Sequence, residues 1–229
     1  MEDVLIHVLV VNINGLKYTL PLLDDLYAQT CPFTLTVIDQ ASTEMGTREA
    51  LAGVDQVIYN SVNRPLNYIW NDHADSNPYP YLCFLNNDLR IPRNFLADTL
   101  AIFEREKRVG AVVHATNHPD YVESSELVYQ ILPDGHMQGW DFTIRKIAYI
   151  PIPADLKTFG GDDWLFGQLQ LAGWEVAAAL SSPITHFYAR SRKFYRGSRQ
   201  EEGEACLRYG LPRLRRPFCS RRVPSEALK

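Results

Sequence analysis

Short apolar runs alternate with helix-like segments through the first half of this chain, and this alternation constrains the fold most. The runs lie at 4–11, 33–39, 56–59, 81–85 and 109–113. They have strand lengths, and the longer ones are unbroken enough to be buried on both faces. Helices are predicted between them, at 16–27, 65–74 and 95–103. The pattern predicts an α/β fold with a mostly parallel sheet flanked by helices.

The second half of the chain adds a different pattern. Apolar segments at 127–132 and 142–150 surround the turn sequence Pro133-Asp134-Gly135 and predict a small antiparallel addition to the sheet. Residues 162–172 are predicted to form a helix that ends at Gly173, and 174–180 a last strand.

Charge is distributed unevenly about a formal net charge of −4. Residues 190–229 contain twelve Lys and Arg against four acids, whereas the rest of the chain carries 11 basic and 23 acidic residues. We therefore expect two parts, a domain at 1–190 and a basic tail at 191–229. The tail suggests a polyanionic partner such as DNA or an anionic membrane surface. The alternative is a solvated tail that aids solubility or closes over a bound diphosphate.

The chain has the composition of a globular protein of a reducing compartment. Its four cysteines are widely spaced and form no CxxC pair. The first residues lack the basic flank and the length of a signal peptide. No stretch approaches the roughly 18–20 apolar residues of a membrane span. We expect a cytoplasmic protein without a transmembrane segment.

The run at 81–85 ends abruptly in Asn86-Asn87-Asp88. A buried strand that ends in a carboxylate places it at the ligand-binding edge of an open α/β sheet. Mg²⁺ and Mn²⁺ prefer oxygen ligands, often one or two carboxylates together with the oxygens of a diphosphate. An Asx turn would explain one or two of these polar residues but not the terminal acid. The pattern predicts a metal site at Asp88.

Other polar residues follow neighbouring elements. Asp39 ends the second predicted strand, with Ser42 and Glu44 on the next loop, where they could bind a base or a ribose or simply cap a helix. Asn63, Arg64 and Asn71 precede the strand that carries Asp88, and Arg64 could contact a phosphate or lie exposed beside a helix start.

Asp162 and Asp163 open the predicted helix at 162–172. One carboxylate raises the pKa of the other, which suits a general base. The alternative, an acidic helix start stabilised by the helix dipole, is compatible with that role. His186 follows the last predicted strand and is either structural or a further metal ligand.

Taken in order, these pieces resemble the GT-A glycosyltransferases of family 2, especially the short, rhamnosyltransferase-like members. The likeness covers roughly residues 6–191. It includes VLVVNING, the LNND motif at 85–88, GWDFTIRK at 139–146 and Ala172-Gly173-Trp174. Departures are Gln40 where Asn is usual, Glu44 for Asp, Gln168 for Arg, and Gly-Asp-Asp at 161–163 in place of the family's Glu-Asp.

The resemblance implies an inverting transfer of a sugar from a UDP- or dTDP-sugar to an acceptor hydroxyl on a glycan, a lipid-linked glycan or a modified DNA base. Mn²⁺ or Mg²⁺ would be held by Asp88 and His186, and Asp162 or Asp163 would be the base. The residues implied to bind the nucleotide-sugar are Asn12, Asp39, Ser42, Glu44, Asn63, Arg64, Asn71, Asn86, Asn87 and Trp140. A nucleotidyltransferase, a non-catalytic binding module and a retaining transferase remain alternatives.

Overall fold

The structure is a computed structural model, and it describes residues 5–134, 138–187 and 199–211. These residues form the strands β1 (Ile6–Asn12), β2 (Phe33–Gln40), β3 (Gln56–Asn60), β4 (Tyr81–Asn86), β5 (Leu89–Arg90), β6 (Val109–Thr116), β7 (Tyr129–Ile131), β8 (Asp141–Arg145) and β9 (Glu175–His186). The helices are α1 (Leu16–Tyr27), α2 (Thr47–Leu51), α3 (Leu66–Ser76), α4 (Phe95–Arg105), α5 (Gly161–Leu171) and α6 (Arg199–Arg208), with a 3₁₀ turn at Lys146–Ala148.

The strands build one mixed sheet in the order β3-β2-β1-β4-β8-β6-β9-β5, and β7 pairs with β9. The pairs β1–β2, β1–β4, β2–β3 and β6–β9 are parallel, whereas β8 runs antiparallel to both β4 and β6. The carboxyl ends of β1, β2, β4, β6 and β9 therefore meet the start of β8 at one edge. The predicted α/β class with a mostly parallel sheet is confirmed.

Helices cover both faces of the sheet because the buried strands are apolar on both sides. On β1, Ile6, Val8 and Val10 pack with α1, α2 and α4. On the opposite face, Leu9 belongs to a core that includes α3, α5 and Ala205 of α6. The core thus lies in two layers around the sheet and leaves the strand ends clear for polar side chains.

The predicted antiparallel addition is present, and its two strands join the sheet at separate places. The segments on either side of the Pro133-Asp134-Gly135 turn do not pair with each other in the described residues. Instead β8 inserts between β4 and β6, and β7 lies against β9. The last strand continues six residues beyond the predicted end at Leu180 and reaches His186. Residue periodicity indicates that a segment is a strand but does not select its partner.

Part of the predicted basic tail is the helix α6, which docks on the body of the protein. Ala205 is fully buried, and Cys206 and Leu211 pack against the core beside α3 and α5. Arg208 and the Tyr209 hydroxyl donate hydrogen bonds to the Asp155 carboxylate at 2.7 and 2.8 Å. The predicted boundary at 190/191 lies outside the described residues.

Within the described part of the chain, no helix is both long and apolar enough to cross a membrane. The cytoplasmic location stays a prediction.

Candidate active site

The first polar cluster lies where β1 and β2 end side by side, with Asn12 paired in register with Asp39. The Asp39 carboxylate accepts hydrogen bonds from Asn12 Nδ2 at 2.7 Å and from the Ser42 hydroxyl at 2.6 Å. The Ser42 backbone N–H donates to the other oxygen of the Asp39 carboxylate at 3.1 Å. These donors hold the Asp39 carboxylate in one orientation at the sheet edge.

Glu44 helps to shape this corner by capping a helix. Its carboxylate accepts a hydrogen bond from the backbone N–H of Leu16, the first residue of α1, at 3.1 Å. Asn14, whose φ is +45°, accepts from the N–H groups of Thr43 and Glu44 at 2.7 and 2.8 Å. Sequence analysis missed Asn14, although an Asn-Gly pair at a strand end is a signal for a left-handed turn.

Asn71 tethers the loop that leads toward α5. Its side chain donates to the carbonyl of Ile152 at 2.8 Å and accepts from the Ile152 N–H at 2.9 Å. Arg64 pairs with Asp72 at 2.6 Å near the surface, and Asn63 is exposed on the same loop. The Arg64 backbone joins the end of β2 through two hydrogen bonds with the Gln40 side chain, whereas the Asn71 side chain is used in a structural contact.

A buried relay joins the first cluster to the LNND motif. Asn87 Nδ2 donates to Thr19 Oγ1 at 2.9 Å and to Asn12 Oδ1 at 3.3 Å, while the Thr19 hydroxyl donates to Asn12 at 2.7 Å. A Cβ at Gly15 would lie 2.5 Å from Asn87 Nδ2, so only glycine leaves room for this side chain. Thr19 also escaped sequence analysis, although a polar residue on the buried face of a helix is its signal.

The second cluster is the pair Asp88 and His186. Leu89 pairs with His186 across β5 and β9, and the Phe187 N–H donates to the Asp88 carbonyl at 3.0 Å. His186 Nε2 lies 3.2 Å from Asp88 Oδ1, and both side chains are almost completely buried. Asn117, at φ +50°, holds the His186 backbone through two hydrogen bonds of 3.0 Å.

This pair fits two adjacent ligands of one hard cation. Neighbouring donors in an octahedral shell with bonds of about 2.1 Å lie about 3.0 Å apart, close to the observed 3.2 Å between Asp88 and His186. No group of three or more His, Cys, Asp or Glu side chains that could hold a metal occurs among the described residues. Substrate oxygens and water would have to complete the shell.

The third cluster is the acidic start of α5. Gly160 adopts a left-handed φ of +72° before the helix begins at Gly161. A Cβ at Gly161 would meet the Asn67 side chain at 2.3 Å, and one at Gly139 would lie 2.5 Å from Asp162 Oδ2. The Asp162 carboxylate therefore lies directly on the backbone of Gly139.

Both acids of this cluster hold their protons more tightly than usual. Burial raises the pKa of Asp162, opposed by the backbone N–H groups of Asp163 and Asp162. Burial first, and the charge of Asp162 second, raise the pKa of Asp163 to about 7. A carboxylate with a raised pKa can accept a proton near neutral pH.

Trp140 connects the second and third clusters. Its indole N–H donates to Thr116 Oγ1 at 3.0 Å, and its ring centroid lies 5.0 Å from that of His186. Its carbonyl accepts from the Asn86 N–H at 2.8 Å. Only the first residues of GWDFTIRK lie here: Arg145 pairs with Tyr81 at the far end of β4, and Lys146 donates to the carbonyl of Asn77. Arg145 and Lys146 therefore lie away from this edge, at the far end of β8.

No protein-family model and no curated protein matches this chain. Solved structures do match. GalNAc-T7 with UDP, GalNAc and Mn²⁺ superposes with a TM-score of 0.69 at 14% identity, covering 90% of this chain and 48% of that one. S. aureus TarS 1–349 in complex with UDP-GlcNAc superposes with a TM-score of 0.67 at 17% identity, covering 87% of this chain and 63% of that one.

A third match is the mannosyltransferase PcManGT from Pyrobaculum calidifontis in complex with GDP-Man and Mn²⁺. Its TM-score is 0.65 at 16% identity, covering 81% of this chain and 57% of that one. The chain has the GT-A fold. It spans less than two thirds of the length of each of these three proteins, and at these identities the likeness establishes the fold alone.

Proposed function

We propose that this chain is a metal-dependent, inverting glycosyltransferase. It would move a hexosyl or deoxyhexosyl group from a UDP- or dTDP-sugar to an acceptor hydroxyl, in the manner of short family 2 enzymes. One observation carries the proposal. The three polar clusters adjoin at one edge of a GT-A sheet through an unbroken series of contacts, from Asp39 through Asn12 to Asn87 and from Asp88 through His186 and Trp140 to Asp162.

Asp39 and Ser42 would hold the nucleoside, and Asn86 and Asn87 would lie under the diphosphate. Asp88 and His186 would hold Mn²⁺ or Mg²⁺ beside it. When bound, a divalent cation neutralises charge on the departing diphosphate. Because the Asn12 relay fixes Asn87 relative to Asp39, nucleoside binding would place the diphosphate next to the metal ligands without further rearrangement.

Asp162 would act as the general base. It would take the proton of the acceptor hydroxyl while that oxygen forms a bond to the anomeric carbon and the bond from this carbon to the diphosphate oxygen breaks. Its contact with Gly139, next to Trp140, supports Asp162 over Asp163, and its raised pKa suits proton transfer. Asp163 would support it by limiting the negative charge of the pair.

The first test is a thermal-shift panel of nucleoside diphosphates and nucleotide-sugars with and without Mn²⁺, on wild type and Asp88→Asn. A ligand that binds only the folded state raises Tm. We expect a metal-dependent shift with UDP or dTDP that Asp88→Asn loses, while Asp25→Asn, an acid paired with Arg90, retains it. No shift with any diphosphate in the folded wild type would overturn the proposal.

Turnover then separates the alternatives. A glycosyltransferase releases nucleoside diphosphate, whereas a nucleotidyltransferase releases pyrophosphate from a triphosphate. Asp162→Asn should abolish transfer and leave UDP binding intact. Nucleotide-sugar binding without hydrolysis or transfer in wild type would favour a non-catalytic module. The anomeric configuration of the product, read by NMR, distinguishes inversion from retention.

The basic tail would recruit a polyanionic acceptor. The sequence of α6 itself holds three acids against two arginines, so the basic excess lies in its flanks, outside the described residues. Deleting 212–229 keeps α6 in place and should raise the acceptor KM at low salt, with a difference that shrinks as salt is added. An unchanged acceptor KM at low salt would remove this part of the proposal.

A further inference from the structure

Residues 138–141 form a bridge between the metal pair and the acidic cluster. Gly139 lies against the Asp162 carboxylate. The Trp140 ring packs on His186, and the Trp140 carbonyl accepts a hydrogen bond from the Asn86 N–H. The relative position of the two clusters therefore depends on this short segment. In a displacement reaction an error of about 1 Å between reacting groups can cost about 10²-fold in rate.

A buried polar network anchors this bridge from behind. The Asp141 side chain is fully buried and accepts from the His114 backbone N–H at 3.0 Å and from His114 Nδ1 at 3.1 Å. Gln138 donates to the other Asp141 oxygen, to the His114 carbonyl at 3.0 Å and to Thr116 Oγ1 at 3.2 Å. Thr116 in turn accepts from the indole of Trp140.

The anchor itself is fixed to the core. The His114 ring stacks on Phe95 of α4 with centroids 3.8 Å apart, and its Nε2 lies 3.3 Å from Thr99 Oγ1. Removing a carboxylate from water is unfavourable even where hydrogen bonds satisfy it, so a buried Asp at this position indicates a role beyond stability. The hydrogen bonds of the Asp141 side chain go to His114 and Gln138, and none goes to the metal pair or the acidic cluster.

We propose that Asp141, held by His114 and Gln138, is the positioning residue that sets the metal pair and the general base at their working separation. It acts through residues 138–140 and does not touch substrate. The proposal rests on the proposed function for its meaning in catalysis. Its structural content, that Asp141 determines where Trp140 lies, can be measured without any turnover.

The test compares Asp141→Asn and Thr116→Val with wild type. Asparagine offers one oxygen where the carboxylate offers two, so either His114 or Gln138 loses its acceptor. Valine at 116 removes the acceptor of the Trp140 indole and leaves Asp141 in place. Thr143→Val is the matched control, because Thr143 is buried two residues along the same strand and faces Cys83 of β4 instead.

The structural readout is ¹⁹F NMR of protein labelled with 5-fluorotryptophan, in which the four tryptophans give four signals and Trp140→Phe identifies one. We expect both variants to shift the Trp140 signal and the control to leave it unchanged. Mn²⁺ affinity in the presence of UDP should fall about 10-fold and kcat about 10–100-fold, with UDP affinity in the absence of metal unchanged.

An unmoved Trp140 signal in Asp141→Asn would overturn the proposal, as would a lowered Tm with wild-type kcat and Mn²⁺ affinity well below the melting temperature. If Asp141→Asn does not fold, Gln138→Met takes its place, because it removes the donor to one Asp141 oxygen and leaves the Trp140 indole its acceptor. A shifted Trp140 signal in a protein whose wild type transfers no sugar would uphold the positioning role and reject the proposed function.

Discussion

Glycine is required at positions 139 and 161 because neighbouring side chains leave no room for a Cβ. Each lies where a polar side chain occupies the volume of a Cβ, Asp162 at Gly139 and Asn67 at Gly161. Neither has a positive φ, so the constraint is contact and not backbone conformation. The two glycines let the acidic cluster approach the bridge on one side and α3 on the other.

Gly139→Ala should therefore move Asp162 without unfolding the protein. We expect kcat to fall about 10–100-fold with a nearly unchanged Tm, measured by steady-state kinetics and thermal unfolding. The control is Gly167→Ala in the same helix as Asp162, where an added Cβ meets nothing within 4 Å. That change should leave kcat intact and stabilise α5 by about 0.5–1 kcal/mol. Normal activity of Gly139→Ala would contradict the assigned place of Asp162.

The ionised side chain of Asp163 should destabilise the folded protein at alkaline pH. Because its folded pKa is raised to about 7 from 3.8, ionising it disfavours the folded state, and the cost is complete only above pH 7. Asp163→Asn should thus raise Tm at pH 8, by roughly 2–4 °C for each kcal/mol recovered, and the gain should vanish toward pH 4. A gain independent of pH would show that the effect is not electrostatic.

The loop between the 3₁₀ turn and α5 holds the acidic cluster in place. On one side α3 holds it, since Asn67 Nδ2 donates to the Leu156 carbonyl at 2.9 Å and the Tyr68 hydroxyl to that of Ala154 at 2.7 Å. On the other side lies α6, through Cys206 against Gly160 and Arg208 on Asp155. The helix from the tail thereby belongs to the support of the acidic cluster.

Undocking α6 should reduce the rate of transfer more than it reduces donor binding. Ala205→Glu places a carboxylate at a fully buried position, where an unpaired charge is strongly unfavourable. We expect faster proteolytic cleavage within 199–211 and a lower kcat. UDP affinity should be retained, because the hydrogen bonds that hold Asp39 come from Asn12 and Ser42 and not from α6. Glu204→Ala, at the exposed neighbouring position, is the control. Intact α6 and full activity in Ala205→Glu would refute this support role.

At the scale of the whole molecule, a buried histidine pair should make the fold sensitive to acid. The rings of His7 and His73 lie with their centroids 4.7 Å apart and their planes tilted by 43°, near the sheet edge opposite the candidate active site. Burial lowers the pKa of His7 to about 4. Burial, together with the charge of His7, lowers that of His73 to about 4. Both are neutral when folded, so their contribution to stability is complete above pH 6.5 and is lost as the pH falls toward 4.

His73→Phe should flatten this dependence. We expect the difference in Tm between pH 7 and pH 5 to be smaller than in wild type, since one buried group no longer takes up a proton on unfolding. The control is His118→Gln on a surface loop beside Asp120, which should retain the wild-type slope. An identical pH profile for His73→Phe would place the acid sensitivity elsewhere.

The sequence by itself determined the elements and the positions of the principal acids. The apolar runs became β1, β2, β4 and β6, and Asp88 and Asp162 follow a strand and open a helix where local pattern predicted them. Strand burial, helix starts and left-handed glycine ends are local effects, so they can be seen in a short window of residues. The meeting of the predicted polar residues at one edge of the sheet followed from the rule that parallel strands end at the same edge.

Only the tertiary structure decided which groups meet. It inserted β8 between β4 and β6. It placed Glu44 where it caps α1 and Asn71 where it bonds the loop at Ile152. It also brought His114, Gln138 and Asp141 together next to Trp140. It also docked α6 on the acidic cluster. A polar side chain has many potential partners along a chain, and packing of distant segments selects among them, so no local pattern contains the choice.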